Sequence, residues 1–162
     1  MEEEINEKYG KKFIKSLLYK ADSLWVLKNI HKTFEMGGMN GAWDQCALFP
    51  GDKYYNESNH SALQEAFDKQ ITYAENYKSK SHQYSNATVY ADVSVDKNGK
   101  AKVTDINVQF FDYLTRQQNF NKNSEKNFVK VAKEIIENNQ WIPAKIKGIN
   151  VNSKMNLRIY LK

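Results

Sequence analysis

Residues 86–110, NATVYADVSVDKNGKAKVTDINVQF, hold the reading on which the fold turns. Val89, Ala91, Val93 and Val95 alternate with Thr88, Tyr90, Asp92 and Ser94, so an extended chain gathers the apolar set on one face. Asp96-Lys97-Asn98-Gly99-Lys100 then offers turn chemistry, because Asn and Gly accept positive φ. Val103 to Phe110 resumes strand-like sequence, with Ile106, Val108 and Phe110 in alternation. The two segments predict a β-hairpin with a somewhat long tip.

Downstream, Asn123 or Ser124 is placed to cap a helix reaching about Asn138, whose stripe of Phe128, Val131, Ala132 and Ile135 has core-facing spacing. Pro143 forbids its continuation. Val151, Ser153, Met155, Leu157, Ile159 and Leu161 then alternate with polar neighbours, the cleanest strand in the chain. Upstream, a helix is expected from Ser61 to Tyr73, with Leu63, Phe67 and Ile71 on its stripe and Ser58 or Asn59 as N-cap. Residues 37–60 show no sustained period and read as a loop, ordered by Trp43, Phe49, Tyr54 and Tyr55 packing onto the domain. From Glu3 to about Phe34, steps of three or four between Ile5, Tyr9, Phe13, Leu17, Ala21, Leu24, Leu27, Ile30 and Phe34 draw one long amphipathic helix, or two. Gly10 can break its first turns, and it ends near Glu35 before Gly37-Gly38.

The expected fold is therefore α+β: a three-stranded antiparallel sheet against two helices in the order α-β-β-α-β, plus an extra N-terminal helix. Residues 1–36 form that extension, 37–60 an ordered linker loop, and 61–162 the domain.

Composition narrows the function. The formal charge is +5, yet the basic residues are almost all scattered lysines, with arginine only at 116 and 158. Specific nucleic-acid recognition, which favours arginine's planar fork, is not expected. No apolar run approaches the roughly 20 residues that cross a bilayer. The acidic start, Met1-Glu2-Glu3-Glu4, lacks the basic and apolar pattern of a secretory signal. Cys46 alone excludes a disulfide-stapled scaffold. His31, His60 and His82 lack metal-ligand spacing, Cys46 and His60 lack any signature of a nucleophile and base, and the glycines at 37, 38, 41 and 51 follow no strand. No catalytic residue, cofactor or metal is expected.

Local motifs go further. Val93-Ser94-Val95-Asp96-Lys97-Asn98-Gly99-Lys100, followed by Val103-Thr104-Asp105-Ile106-Asn107-Val108, resembles the V-x-V-D-x-x-G-x … V-x-D-V-x-V hairpin of TonB C-terminal domains. Trp141-Ile142-Pro143-Ala144 with Gly148 and Val151 is similar to that family's W-x-P-A … G-x-x-V segment, and Phe49-Pro50-Gly51, Leu63, Phe67 and Ile71-Thr72-Tyr73 resemble the entry of Bacteroidetes-type members. The likeness covers about residues 48–162. It departs from the pattern at Ala74, where proline is usual, and at Leu157-Arg158-Ile159-Tyr160-Leu161, where the family ends in L-P-I-x-F. A long helix stands in place of the usual membrane anchor and proline-rich spacer.

The resemblance implies a periplasmic module that captures an extended peptide, the "TonB box" of an outer-membrane transporter, by adding it as a strand to a sheet edge. The last strand is the expected edge. Asn152, Lys154, Asn156, Arg158 and Tyr160 on its polar face are the candidate partner-binding residues, together with Phe111 and Tyr113 from the aromatic segment after the hairpin. Trp141 is expected to plug the core. The alternative is a stand-alone adaptor or immunity-type protein, cytoplasmic if Met1 is the native start, that grips a folded partner with its extra helix and aromatic loop. Edge-to-edge homodimerisation is a further expectation for a long terminal strand.

Overall fold

The alternating run around Val93 forms a hairpin in the computed structural model, which describes residues 7–10, 12–35, 43–53, 61–77, 85–112 and 121–162. In chain order the elements are α1 (Phe13–Lys28), β1 (Thr33–Glu35), α2 (Ser61–Gln70), β2 (Ser85–Val95), β3 (Ala101–Asp112), a 3-10 turn (Lys122–Ser124), α3 (Glu125–Asn138), β4 (Ala144–Ile146) and β5 (Ile149–Tyr160). Val89 pairs with Val108, Ala91 with Ile106 and Val93 with Val103. The register slips beside Asp92, leaving Thr104 as a bulge whose hydroxyl donates to the Asp92 carbonyl at 3.1 Å. That slip puts odd-numbered Val103 on the same buried face as even-numbered Val108 and Phe110. At the tip, Asp96 Oδ1 accepts the N–H groups of Asn98 and Lys100 at 2.8 and 2.9 Å.

The architecture is α+β, but the sheet has five strands and is mixed, ordered β1-β5-β2-β3 with β4 also on β5. The three expected antiparallel strands, β3, β2 and β5, lie side by side. Two short strands correct the three-stranded expectation. β1 runs parallel to β5 and pairs Phe34 with Ser153, and β4 joins β5 through a two-residue turn at Lys147 and Gly148, both at positive φ.

β1 also corrects the expected reach of the first helix. Asn29 ends α1 by donating both its backbone N–H and its side-chain amide to the Trp25 carbonyl, at 3.0 and 2.8 Å. Phe34 then becomes fully buried as a strand residue. A helix continued through Phe34 would give up that burial and the pairing to β5, and local periodicity carries no information about either. Gly37 and Gly38, the expected stop, lie outside the described residues, as do Tyr54, Tyr55, Ser58 and Asn59.

α2 and α3 cover one sheet face, burying Leu63 and Phe67 from the first and Phe128, Val131, Ala132, Ile135 and Ile136 from the second. Asp52, from outside α2, accepts the Ala62 N–H at 2.8 Å and so caps that helix. Ser124 precedes α3 without a side-chain capping bond. Residues 46–49 are core rather than surface: Cys46, Ala47, Leu48 and Phe49 are buried, Leu48 bridges Ile142, and exposed Gln45 beside them bridges Lys145. Trp141 plugs the core. Its ring meets Phe49 edge-on with centroids 5.3 Å apart, and its indole N–H donates to the Ile136 carbonyl in the last turn of α3 at 2.9 Å.

Candidate functional site

The opposite face of the sheet is lined by polar side chains, because along β2 and β5 apolar core residues alternate with polar residues on the other face, of which Thr88 alone is buried among the described residues. Across β2 and β5 the outward rows pair Ser94 with Lys154, Asp92 with Asn156, Tyr90 with Arg158 and Thr88 with Tyr160. Asn156 donates to Asp92 through its side-chain amide, and the Arg158 guanidinium stands over the Tyr90 ring, 5.7 Å from its centroid.

Backbone direction decides what the edge of β5 offers. The Leu161 N–H donates inward to the Ala87 carbonyl, whereas Tyr160 N–H and C=O point away from β2. By strand alternation, the backbone groups of Asn156 and Arg158 point away as well. β4 covers β5 from Ile149 to Val151 and β1 from Asn152 to Lys154. The last strand is therefore flanked on both sides at Ser153 and Lys154, by β1 and by β2, which revises its expected place as a simple edge. Beyond Lys154 no strand lies against it among the described residues. The far end is closed by a side chain: Gln64 of α2 accepts from Tyr160 N–H and donates to Tyr160 C=O, both at 2.8 Å. One amide thus imitates a strand residue. Among the described residues a gap lies between Glu35 and Gln64, in which Asn156 and Arg158 present two donors and two acceptors.

The residues singled out from sequence separate accordingly. Asn156, Arg158 and Tyr160 are exposed at this gap. Asn152 serves the scaffold, accepting the Lys97 N–H at 3.0 Å and reaching the Ile30 and Lys32 carbonyls at 3.3 and 3.4 Å. Lys154 is half-buried opposite Glu35. Phe111 sits on β3 opposite Asn86, with its side chain outside the description, and Tyr113 lies outside the described residues. Sequence reasoning missed Gln64 and Glu35, which bound the gap. Nothing in a helical glutamine signals that it will close a strand edge 96 residues away.

Other chemistry is sparse. Among the described residues no group of three or more His, Cys, Asp or Glu side chains is arranged to hold a metal ion. Cys46 is buried, and burial pushes its thiol up to about 11, so it stays protonated and a poor nucleophile at neutral pH. Compared with family models, with curated proteins and with solved structures, the chain matches none.

Proposed function

We propose that the chain is a non-enzymatic protein-binding module that captures an extended peptide by strand addition to β5, in the manner of the TonB C-terminal domains its hairpin and W-x-P-A segment resemble. The observation that carries this reading is the gap between Glu35 and Gln64, where the outward backbone groups of Asn156 and Arg158 have no strand against them among the described residues. A peptide laid in line with β1 gains up to four backbone hydrogen bonds there. Arg158 and Tyr160 flank it and suit a segment bearing a carboxylate or carbonyl groups. Under this reading the partner is an outer-membrane transporter's extended segment, and the setting is the periplasm.

At ~1 kcal/mol net per hydrogen bond, four bonds give about 4 kcal/mol, a Kd on the order of 1 mM before side-chain contacts add to it. Amide-resolved NMR titration with TonB-box-like peptides tests the reading. Shifts centred on the amides of Asn156 and Arg158 are expected. Shifts confined to Ile106–Phe110 would move the site to the β3 edge, and none at several millimolar peptide would sink strand capture altogether.

A further inference from the structure

α1 is fastened to the domain along a narrow strip. Val26 is buried in the core, the Tyr19 hydroxyl donates to the Lys147 carbonyl at 2.8 Å, and Lys147 Nζ stands 3.6 Å from Asp22. At about 100° per residue these three positions fall within about 60° of the helix circumference. The other side is exposed and mainly apolar, with Lys20 and Lys28 among its side chains. Phe13, Leu17, Leu18, Leu24, Trp25 and Leu27 are 40% to 67% exposed, and together they sweep roughly 180°. Isolated exposed apolar side chains are ordinary, but six on one helix form a contiguous patch of the kind that marks an interaction surface.

We propose that α1 seats the protein on an anionic lipid surface, with its apolar arc in the headgroup and upper acyl region and the domain on the aqueous side. Charge argues for lipid. From Lys12 to Lys28 four lysines face one acid, Asp22. Lys20 lies inside the arc between Leu27 and Phe13, and Lys28 lies within it at the C-terminal end of the helix, where flexible stems let the ammonium groups reach phosphate while their methylenes lie on apolar surface. Trp25 and Phe13, both in the arc, are side chains suited to that boundary. Width argues the same way. A helix that packs on one partner helix needs an apolar stripe of about 100°, and pairing two copies through this arc would also bring lysines against lysines. The helix lies on the bilayer rather than through it: at 1.5 Å per residue its 16 residues span about 24 Å, less than a hydrocarbon core. No helix among the described residues is long and apolar enough to cross a membrane.

The test is flotation of the full chain with phosphatidylcholine vesicles and with vesicles containing about one-third phosphatidylserine. Binding to the anionic vesicles alone is expected. It should weaken about tenfold between 0.1 and 0.5 M NaCl as the lysines are screened. Leu24→Glu, at a 67% exposed position, should keep the native thermal melt and lose at least about tenfold in partitioning. Arg158→Ala should bind as the parent does. Absence of binding at millimolar lipid overturns the proposal. So does equal binding by the Leu24→Glu variant. A concentration-dependent dimer abolished by Leu24→Glu, without vesicle binding, assigns the arc to a second copy instead.

Discussion

Replacing Gly99 with alanine separates backbone strain from steric overlap, because Gly148 supplies the strain alone. Both glycines have φ near +80°, at 82° and 78°, a conformation that costs an L-residue roughly 1–2 kcal/mol. Around Gly148, a new Cβ meets nothing nearer than the Tyr19 hydroxyl at 4.0 Å. Around Gly99 it overlaps the Trp141 carbonyl oxygen and the Gln140 side-chain amide, with the Trp141 carbonyl carbon at 3.1 Å. Gln140 can swing aside, giving up its 2.5 Å bond to the Asn98 carbonyl. The carbonyl has no such freedom, since Trp141 N–H donates to Gly99 C=O at 2.9 Å and its ring is buried. Relief therefore separates the hairpin tip from the α3–β4 corner. Losing one or two hydrogen bonds at ~1 kcal/mol each, on top of the strain, makes Gly99→Ala cost about 2–4 kcal/mol against roughly 1–2 for Gly148→Ala. For a chain of this size that corresponds to melting temperatures lowered by about 10 °C and about 5 °C. Thermal and urea unfolding, followed by circular dichroism, measure both. Equal losses in the two variants would refute the idea that close approach to Trp141 is what demands glycine at the tip.

Other consequences are as direct. Gln64→Ala removes the amide that closes Tyr160, so it should cost about 1 kcal/mol of stability, while calorimetric peptide affinity rises about fivefold because Tyr160 N–H and C=O become available; unchanged affinity would place the peptide elsewhere. Asp52→Ala should cost ~1 kcal/mol by uncapping α2, read as a lowered urea midpoint with unchanged slope. Cys46 should resist a disulfide reagent at pH 8 in the native state and react at once in denaturant. Its folded thiol titrates near 11 against an ordinary value of 9.0. Across that interval the unfolded chain releases a proton the folded chain keeps, so stability falls as pH rises from about 9 to 11. Desolvated Tyr73 and Tyr77, both shifted upward, extend the fall. Cys46→Ala should flatten its first part in a pH series of urea melts.

How far the sequence carries depends on whether the signal is local. β2, β3, β5 and α3 were legible because each binds one apolar face to a period, two for Val89 to Val95 and Val151 to Leu161, near 3.6 for Phe128 to Ile135. Trp141 was legible as a core side chain because large aromatic surface is costly to expose next to a helix-ending Pro143. Even the bulge at Thr104 left a trace, in the parity change between Val103 and Ile106. β4 left a weaker one, Lys147-Gly148 between two isoleucines, a two-residue turn whose flanking strands were too short to show alternation.

What only the tertiary structure decided lies at β5. Three residues, Thr33 to Glu35, become a strand because β5 had an unpaired side, and Gln64 closes Tyr160 because α2 crosses that end of the sheet. Neither Phe34 nor Gln64 differs in type from residues that do nothing similar. Their roles come from partners 119 and 96 positions away, and hydrogen bonds formed by chain-distant groups have no counterpart in any local pattern. The sequence by itself determined that a half-buried sheet with α2 and α3 on one face must form. Which stretch of its edge the described strands pair was settled only when the distant segments met.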